Sequence, residues 1–119
     1  MNLAQVDFQQ LRIRHILYKS KVRSVLYGGT FDEVFFSASG PLNQWFTSIG
    51  QQRYGREPDM RDLTVLHQEL ISIALQLFAL YNSGKIDQAH DGMKQIDRKS
   101  EEFLDILTRL ETKLSESKL

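Results

Sequence analysis

This 119-residue chain contains no cysteine, which excludes disulfide bonds, thiolate nucleophiles and cysteine-ligated metal sites. Lysine plus arginine and aspartate plus glutamate number 15 each, and no long run of one sign occurs. This balance argues against a basic nucleic-acid-binding surface and against a polybasic membrane patch. The sequence also lacks a Gly-rich phosphate loop, a His-Glu-x-x-His motif and a recognisable Ser-His-Asp set. We therefore predict that the chain is not an enzyme.

Targeting signals are also scarce in this sequence. The first ten residues, MNLAQVDFQQ, lack the charged region and apolar run of a signal peptide. By inspection, no apolar stretch approaches the roughly 18 residues that cross a bilayer. We expect a cytoplasmic protein that does not associate with membranes, with residues 1–119 forming a single helical domain.

Apolar residues recur at spacings of three and four in three long stretches, which predicts three amphipathic helices. The first stretch ends at a Gly-Gly pair, Pro58 can open the second, and Gly84 can close it. Gly92 weakens the third helix locally without interrupting its pattern. The three stripes are Phe8, Leu11, His15, Tyr18, Val22 and Val25; Leu63, His67, Leu70, Ala74, Leu77 and Tyr81; and Ile86, Ala89, Met93, Ile96, Ser100, Phe103, Leu107, Leu110 and Leu114.

Residues 30–57 connect the first two long helices. Thr30 and Glu33 have the spacing of a capping box, and Pro41 suits the first turn of a shorter helix. Trp45 lies on the same helical face as Leu42, so we expect it to be buried against a long helix. These elements predict an all-α fold, an antiparallel four-helix bundle with the shorter helix after a loop between the first two long helices.

The first two long helices also carry apolar residues outside their stripes. Faces this wide exceed what one neighbouring helix covers. The extra residues either pack against the aromatic residues of the 30–57 segment or form the interface of a homodimer, and the sequence leaves both open. They are Ile13, Ile16, Leu17 and Leu26 in the first helix, and Leu66, Ile71, Ile73, Phe78 and Leu80 in the second.

Two histidines, His15 and His67, occupy stripe positions where an apolar residue is expected. A neutral imidazole can be buried when its nitrogens find hydrogen-bond partners. Two such residues on separate helices are also compatible with a shared polar or metal site inside the bundle. His90 lies off its stripe, and we expect it to be a solvated surface residue.

Three short motifs, HILYKSKVRSVLYGG, GPLNQW and LHQELI, occur in a defined order. In the first, His15 precedes Tyr18 by three residues; the second contains Leu42 and Trp45; the third contains His67. Their order and spacing over roughly residues 8 to 114 resemble the chemoreceptor zinc-binding (CZB) domain family. The RYG turn and the NSGKIDQA segment also resemble that family. In CZB domains three histidines and one cysteine bind a single zinc ion inside a helical bundle.

The resemblance includes departures at the ligand positions themselves. Gly40 stands where the family has its cysteine, Asn43 where it has a glycine, and Ile71 where it has its last histidine. Tetrahedral zinc needs four ligands, and only His15 and His67 remain. We therefore predict no zinc site and no thiol-based redox sensing.

A weak residual zinc site stays open as an alternative. It would use the two remaining histidines and a carboxylate close to His67 in the sequence, either Asp62 or Glu69.

The resemblance implies a non-catalytic bacterial signalling or regulatory domain, stand-alone or N-terminal. Its expected partners are a second copy of the chain and a chemoreceptor or a diguanylate cyclase. The alternative is a purely structural dimerisation or adaptor module without a ligand. An open polar pocket at His15 and His67 would favour a sensor, whereas a filled interior would favour the adaptor.

Overall fold

The computed structural model describes residues 2–116, and every regular element in that range is helical. The all-α class predicted from the sequence is therefore confirmed. The molecule measures 54 × 25 × 21 Å. Its elements are α1 (Leu3–Leu26), α2 (Glu33–Phe36), α3 (Pro41–Trp45), a π-helical turn (Phe46–Gly50), α4 (Gln51–Tyr54), α5 (Pro58–Asn82), α6 (Ile86–Asp91) and α7 (Met93–Glu116). From α3 to α4 the chain is continuously helical, and we call this stretch the 41–54 segment.

The ends of α1 and α5 lie at the glycines that the sequence indicated. Gly28 follows α1 with a φ of 97°, and Gly84 follows α5 with a φ of 83°. This left-handed conformation costs little for glycine and lets the amides after each helix reach its last carbonyls. After α5, for example, the Lys85 amide donates to the Leu80 carbonyl at 2.9 Å.

Two local predictions need adjustment. The side chain of Asp32, rather than Thr30, caps the short helix α2 by accepting from the Phe35 amide at 3.0 Å. The predicted capping box between Thr30 and Glu33 is therefore wrong. Gly92 separates α6 from α7 by one residue, yet the apolar stripe continues across it, because Ala89 and Met93 are both buried.

Side-chain pairs between the long helices follow reversed orders along the chain. From α1, Arg12 bonds Thr108 (3.0 Å) and Lys19 pairs with Asp97 (2.9 Å). From α5, Asp59 pairs with Arg109 and Glu69 with Lys99, each at 2.9 Å. In both sets the α7 residue number falls as the partner's number rises. Helix α7 therefore runs opposite to α1 and to α5.

Hydrogen bonds to Asp7 hold the 41–54 segment on α1. Trp45 is fully buried, which confirms the prediction, and its Nε1 donates to the backbone carbonyl of Asp7 at 3.0 Å. The Asp7 carboxylate is itself buried; it accepts from Arg53 at 2.7 and 2.8 Å and from the Tyr54 hydroxyl at 2.5 Å. One turn of α1 thus fixes both ends of the Trp45–Tyr54 stretch.

Some of the apolar residues outside the stripes are buried in the folded chain and others are exposed. Leu26 and Leu66 are buried, as is Phe78, whose ring contacts Phe31 and Phe36 of the connecting segment. For Phe78 the predicted packing against the connecting segment is confirmed, whereas Leu26 and Leu66 are shown only to be buried inside the fold. Half-buried residues that pack against the core are Ile71, Ile73 and Leu80. On α1, three residues stay on the surface: Ile13, Ile16 and Leu17.

Helix α5 departs from the expectation that no stretch is apolar enough to span a bilayer. It is 25 residues long, and an 18-residue window within it has a mean hydropathy of 1.5. By length and composition alone it therefore qualifies as a spanning helix. Of that window, 39% is buried inside the fold. Its buried residues line the core, as a central helix of a globular domain also does.

Candidate functional site

His15, from the middle of α1, is buried with 1% of its surface exposed. Its Nε2 lies 2.8 Å from the hydroxyl oxygen of Ser100 on α7. Its ring stacks on Phe103, with ring centroids 4.2 Å apart and planes 7° from parallel. Position 100 lies on the core stripe of α7, so the polar Ser100 meets the polar His15 in the interior.

His67, from α5, is equally enclosed and has its own polar partner. Its Nε2 lies 2.7 Å from Oδ1 of Asn43, and its ring stacks on Phe46 at 4.3 Å. The Asn43 amide nitrogen donates to the Ser37 carbonyl at 2.9 Å, which fixes its oxygen towards the imidazole. That oxygen can only accept, so His67 carries its proton on Nε2.

The two histidines belong to one internal layer, because Phe46 and Phe103 contact each other edge to face at 6.2 Å. We call His15, His67, Phe46 and Phe103, with Asn43 and Ser100, the imidazole layer. In both rings Nδ1 is buried and has no hydrogen-bond partner. Each imidazole therefore makes one hydrogen bond, through Nε2, and stacks on one phenylalanine ring.

Both imidazoles are held neutral at physiological pH. Burial first, and then the positive charge of Lys19, repulsion from the protonated form of His67 and the charge of Arg12, lower the pKa of His15 from 6.5 to about 4. Burial lowers the pKa of His67 to about 4 as well. The cause is that a low-dielectric interior penalises the charged form.

The residues present do not fit the tetrahedral zinc site that the resemblance implies. Gly40 provides no donor atom and Ile71 packs half-buried against the core. Asn43 already bonds the Nε2 of His67, at a position where the family has a glycine. A Cβ added at Gly40 would also overlap the Phe35 carbonyl oxygen, which belongs to the backbone and cannot turn aside. A cysteine there therefore needs the loop before α3 to move.

No third protein ligand joins the two histidines in the described chain. Asp62 is exposed, and Glu69 pairs with Lys99 at 2.9 Å. Within residues 2–116, no group of three or more histidine or acidic side chains is placed to hold a metal ion. The residual zinc site stays a prediction that these side-chain positions do not favour.

The other motif residues are buried around the layer. Leu42 and Trp45 lie in the core with the 41–54 segment. Tyr18 packs against Phe35 and Phe36 of α2, and burial raises the pKa of its hydroxyl to about 12. Of the three, Trp45 contacts the layer directly, edge to face with Phe46 at 5.3 Å.

His90 is not the solvated residue that we expected. It is half-buried, its ring stacks on Tyr27 with centroids 3.8 Å apart, and its Nε2 donates to the Leu26 carbonyl. This contact satisfies a free carbonyl at the C-terminal end of α1. The position of His90 in α6, off the apolar stripe, did not indicate this role, because its partner lies on another helix.

Sequence reasoning located the two histidines but missed their partners. Ser100 appeared only as one member of an otherwise apolar stripe, and Asn43 only as a departure from the family pattern. For Ser100, a polar residue on a core stripe was the available signal, since a buried imidazole needs a partner of this kind.

The chemistry of the layer is that of a closed structural site. Both rings are buried, and so is the Ser100 hydroxyl that bonds His15, so none of these groups is open to a substrate in the described structure. The principal surface grooves, with volumes of about 300 to 590 Å³, are lined by other residues.

Comparisons of this chain with protein-family profiles, curated proteins and solved structures find no match.

Proposed function

We propose that this chain is a non-catalytic, cytoplasmic adaptor domain of a bacterial signalling system, resembling CZB regulators but working without a metal. The observation that carries the proposal is the closed imidazole layer. His67 bonds Asn43 and His15 bonds Ser100, and each ring stacks on a phenylalanine. A filled interior favours an adaptor over a sensor of an internal ligand. The signalling context, with a chemoreceptor or diguanylate cyclase partner, rests on the sequence motifs alone.

The arrangement that supports this function is an antiparallel four-helix bundle. Its helices are α1, the 41–54 segment, α5, and α6 with α7. The reversed order of contacts between α7 and its two neighbours supports it. So does the 41–54 segment, where Pro41 lies near Arg14 of α1 (3.1 Å) and Trp45 near Asp7. In such a bundle the interior is used for stability, so binding falls to the outer surfaces.

The surface best suited to self-association is the outer face of α5. Val65 and Leu75 are 53% and 55% exposed. From residue 64 to 82 the only charged residue is Glu69, which pairs with Lys99 of α7. A neutral, partly apolar face can meet its own copy across a two-fold axis without placing like charges opposite each other.

We expect a homodimer that the substitution Leu75→Arg weakens by about tenfold or more, because it places a charge in the centre of an apolar contact. Sedimentation velocity over a concentration series measures this. Ile13→Arg is the matched control, since Ile13 is 67% exposed on α1. A wild-type chain that stays monomeric up to high micromolar concentrations contradicts the dimer. A dimer that Leu75→Arg leaves intact contradicts the assignment to α5.

The resemblance to CZB domains can be tested by restoring the family's residues together. We expect the triple substitution Gly40→Cys, Asn43→Gly and Ile71→His to bind zinc at least ~100-fold more tightly than the wild type. Asn43→Gly releases His67 from its hydrogen bond, and the new histidine lies one helical turn along α5. Competition with a chromophoric chelator measures the affinity.

The single substitution Gly40→Cys serves as the control for this experiment. It provides a thiol but forces the Phe35 carbonyl to move, so it should lower stability without producing tight binding. Equal zinc affinity in the triple variant and the wild type removes the alignment with the CZB family. That result leaves the adaptor function and its dimer to be decided by sedimentation.

A further inference from the structure

The outward face of α1 carries a second row of residues at helical spacing. It lies opposite the buried stripe of the same helix. Apart from the adjacent pair Ile16 and Leu17, successive members are three, four or seven residues apart, which places them along one side of a helix about 36 Å long. The four apolar members, Val6, Ile13, Ile16 and Leu17, are 36%, 67%, 53% and 43% exposed in the folded chain. We call this row the α1 seam; it consists of Val6, Ile13, Ile16, Leu17, Ser20 and Ser24.

Basic residues flank the seam on both sides. At 100° per residue, Arg14 and Lys21 lie along one edge, and Arg12, Lys19 and Arg23 along the other. The only acidic residue of α1 is Asp7, which is buried on the inner side. The seam is therefore an apolar strip between two cationic edges.

The carboxylates near these edges do not balance the cations. Asp97 is shared by Lys19 at 2.9 Å and Arg23 at 3.6 Å. The pairs of Arg12 with Glu111 and of Lys21 with Asp32 are long, at 3.8 and 3.9 Å. Arg14 donates to the carbonyl of Pro41. Among the described residues, these five cations thus form ion pairs with three carboxylates, which leaves a positive surplus beside the strip.

This charge pattern determines the kind of partner that fits. A second α1 helix packed on the seam, parallel or antiparallel, would place cationic edges against cationic edges. An interfacial membrane helix needs a continuous apolar face, whereas Gln9, Gln10, Ser20 and Ser24 interrupt this one. A helix with an apolar row and acidic edges matches both features at once.

We propose that the α1 seam docks an acidic amphipathic helix of a partner protein. Apolar side chains of that helix contact Ile13, Ile16 and Leu17, and its edge carboxylates pair with the flanking arginines and lysines. The small side chains of Ser20 and Ser24 leave room for larger residues of the partner at the other end. This inference goes beyond the proposed dimer, which uses α5, and each can fail without the other.

The probe is a fluorescent helical peptide with leucines along one face and glutamates along both edges. The matched control peptide has lysine in place of every glutamate. By fluorescence anisotropy with the full chain, we expect the glutamate peptide to bind at least ~10-fold more tightly than the lysine peptide. Raising the salt from about 50 to about 500 mM should weaken the glutamate peptide's binding, since the pairs at the rim are screened.

Variants of the seam locate the binding surface. Ile13→Asp and Leu17→Asp should each lower the affinity for the glutamate peptide at least ~10-fold, because they place a charge in the apolar strip. The matched control Val34→Asp, at a position 68% exposed on α2, should leave it unchanged. Charge reversal at both edges, with Arg14→Glu and Arg23→Glu together, should reverse the preference towards the lysine peptide.

Three results overturn the proposal. The first is equal binding of the two peptides, or binding that the seam variants do not change. The second is binding to phosphatidylglycerol vesicles that Ile13→Asp abolishes while neither peptide binds, which assigns the seam to a membrane surface. The third is a dimer that Ile13→Asp dissociates and Leu75→Arg does not, which assigns it to a second copy.

Discussion

The free energy of unfolding is expected to fall by roughly 3 kcal/mol for each of His15 and His67 as the pH is lowered from about 7 to about 4. The reason is that burial lowers the pKa of each imidazole in the folded chain from 6.5 to about 4. In the unfolded chain both rings bind a proton as the pH falls through about 6.5. Between these values the unfolded state holds more protons, so stability decreases as the pH falls.

The geometry of the layer explains why a proton is unfavourable there. His67 already donates through Nε2 to Asn43, so a second proton would place a donor on Nδ1, which has no partner. For His15, the charges of Lys19 and Arg12 add repulsion to the penalty of burial. Below about 4 both states are protonated, and these residues cause no further loss.

Urea unfolding at a series of pH values, followed by far-UV circular dichroism, measures this effect. His67→Gln should remove about half of the histidine contribution to the pH dependence, whatever it does to absolute stability. Gln68→Asn, at the exposed neighbouring position, should leave the wild-type slope in place. If His15→Gln and His67→Gln both retain that slope, the buried histidines are not its source.

Removing the Trp45 side chain should cost about 4 kcal/mol of stability, because truncating a large, fully buried aromatic residue loses its burial and leaves a cavity. Its ring contacts Phe8 and Phe46, with centroids 5.8 and 5.3 Å away. Through the bond to the Asp7 carbonyl it also fixes the 41–54 segment on α1. Trp45→Ala should therefore loosen the segment that carries Asn43, the partner of His67.

Trp45→Phe separates packing from hydrogen bonding. The Asp7 carbonyl also accepts within α1, so losing the indole donor should cost only about 1 to 2 kcal/mol. Ile13→Ala, at an exposed position, is the control and should change stability by less than about 0.5 kcal/mol. Circular dichroism is the appropriate signal, since the variants remove the tryptophan fluorophore. Near-wild-type stability of Trp45→Ala is the result that rules out this anchoring role.

The helices were predictable because their signals are local. Apolar spacing defined α1, α5 and α7, and the positions of Pro58, Gly28 and Gly84 matched the observed ends. The capping box at Thr30 failed because two candidate caps lie close together, and the hydrogen bond formed at Asp32 instead. The homodimer and the signalling partners stay predictions.

By itself the sequence determined that the chain is helical, that His15 and His67 sit on core stripes, and that Trp45 is buried, because each depends on side-chain periodicity along one helix. Only the tertiary structure decided what the two imidazoles bind. Their partners are distant in the chain, 85 residues away for His15 and 24 for His67. The packed helices also decided which apolar residues stay outside: the 30–36 connection covers Phe78, whereas no element of the described chain covers the seam of α1. Periodicity shows that a helix face is apolar, but whether that face is buried depends on how the neighbouring helices pack.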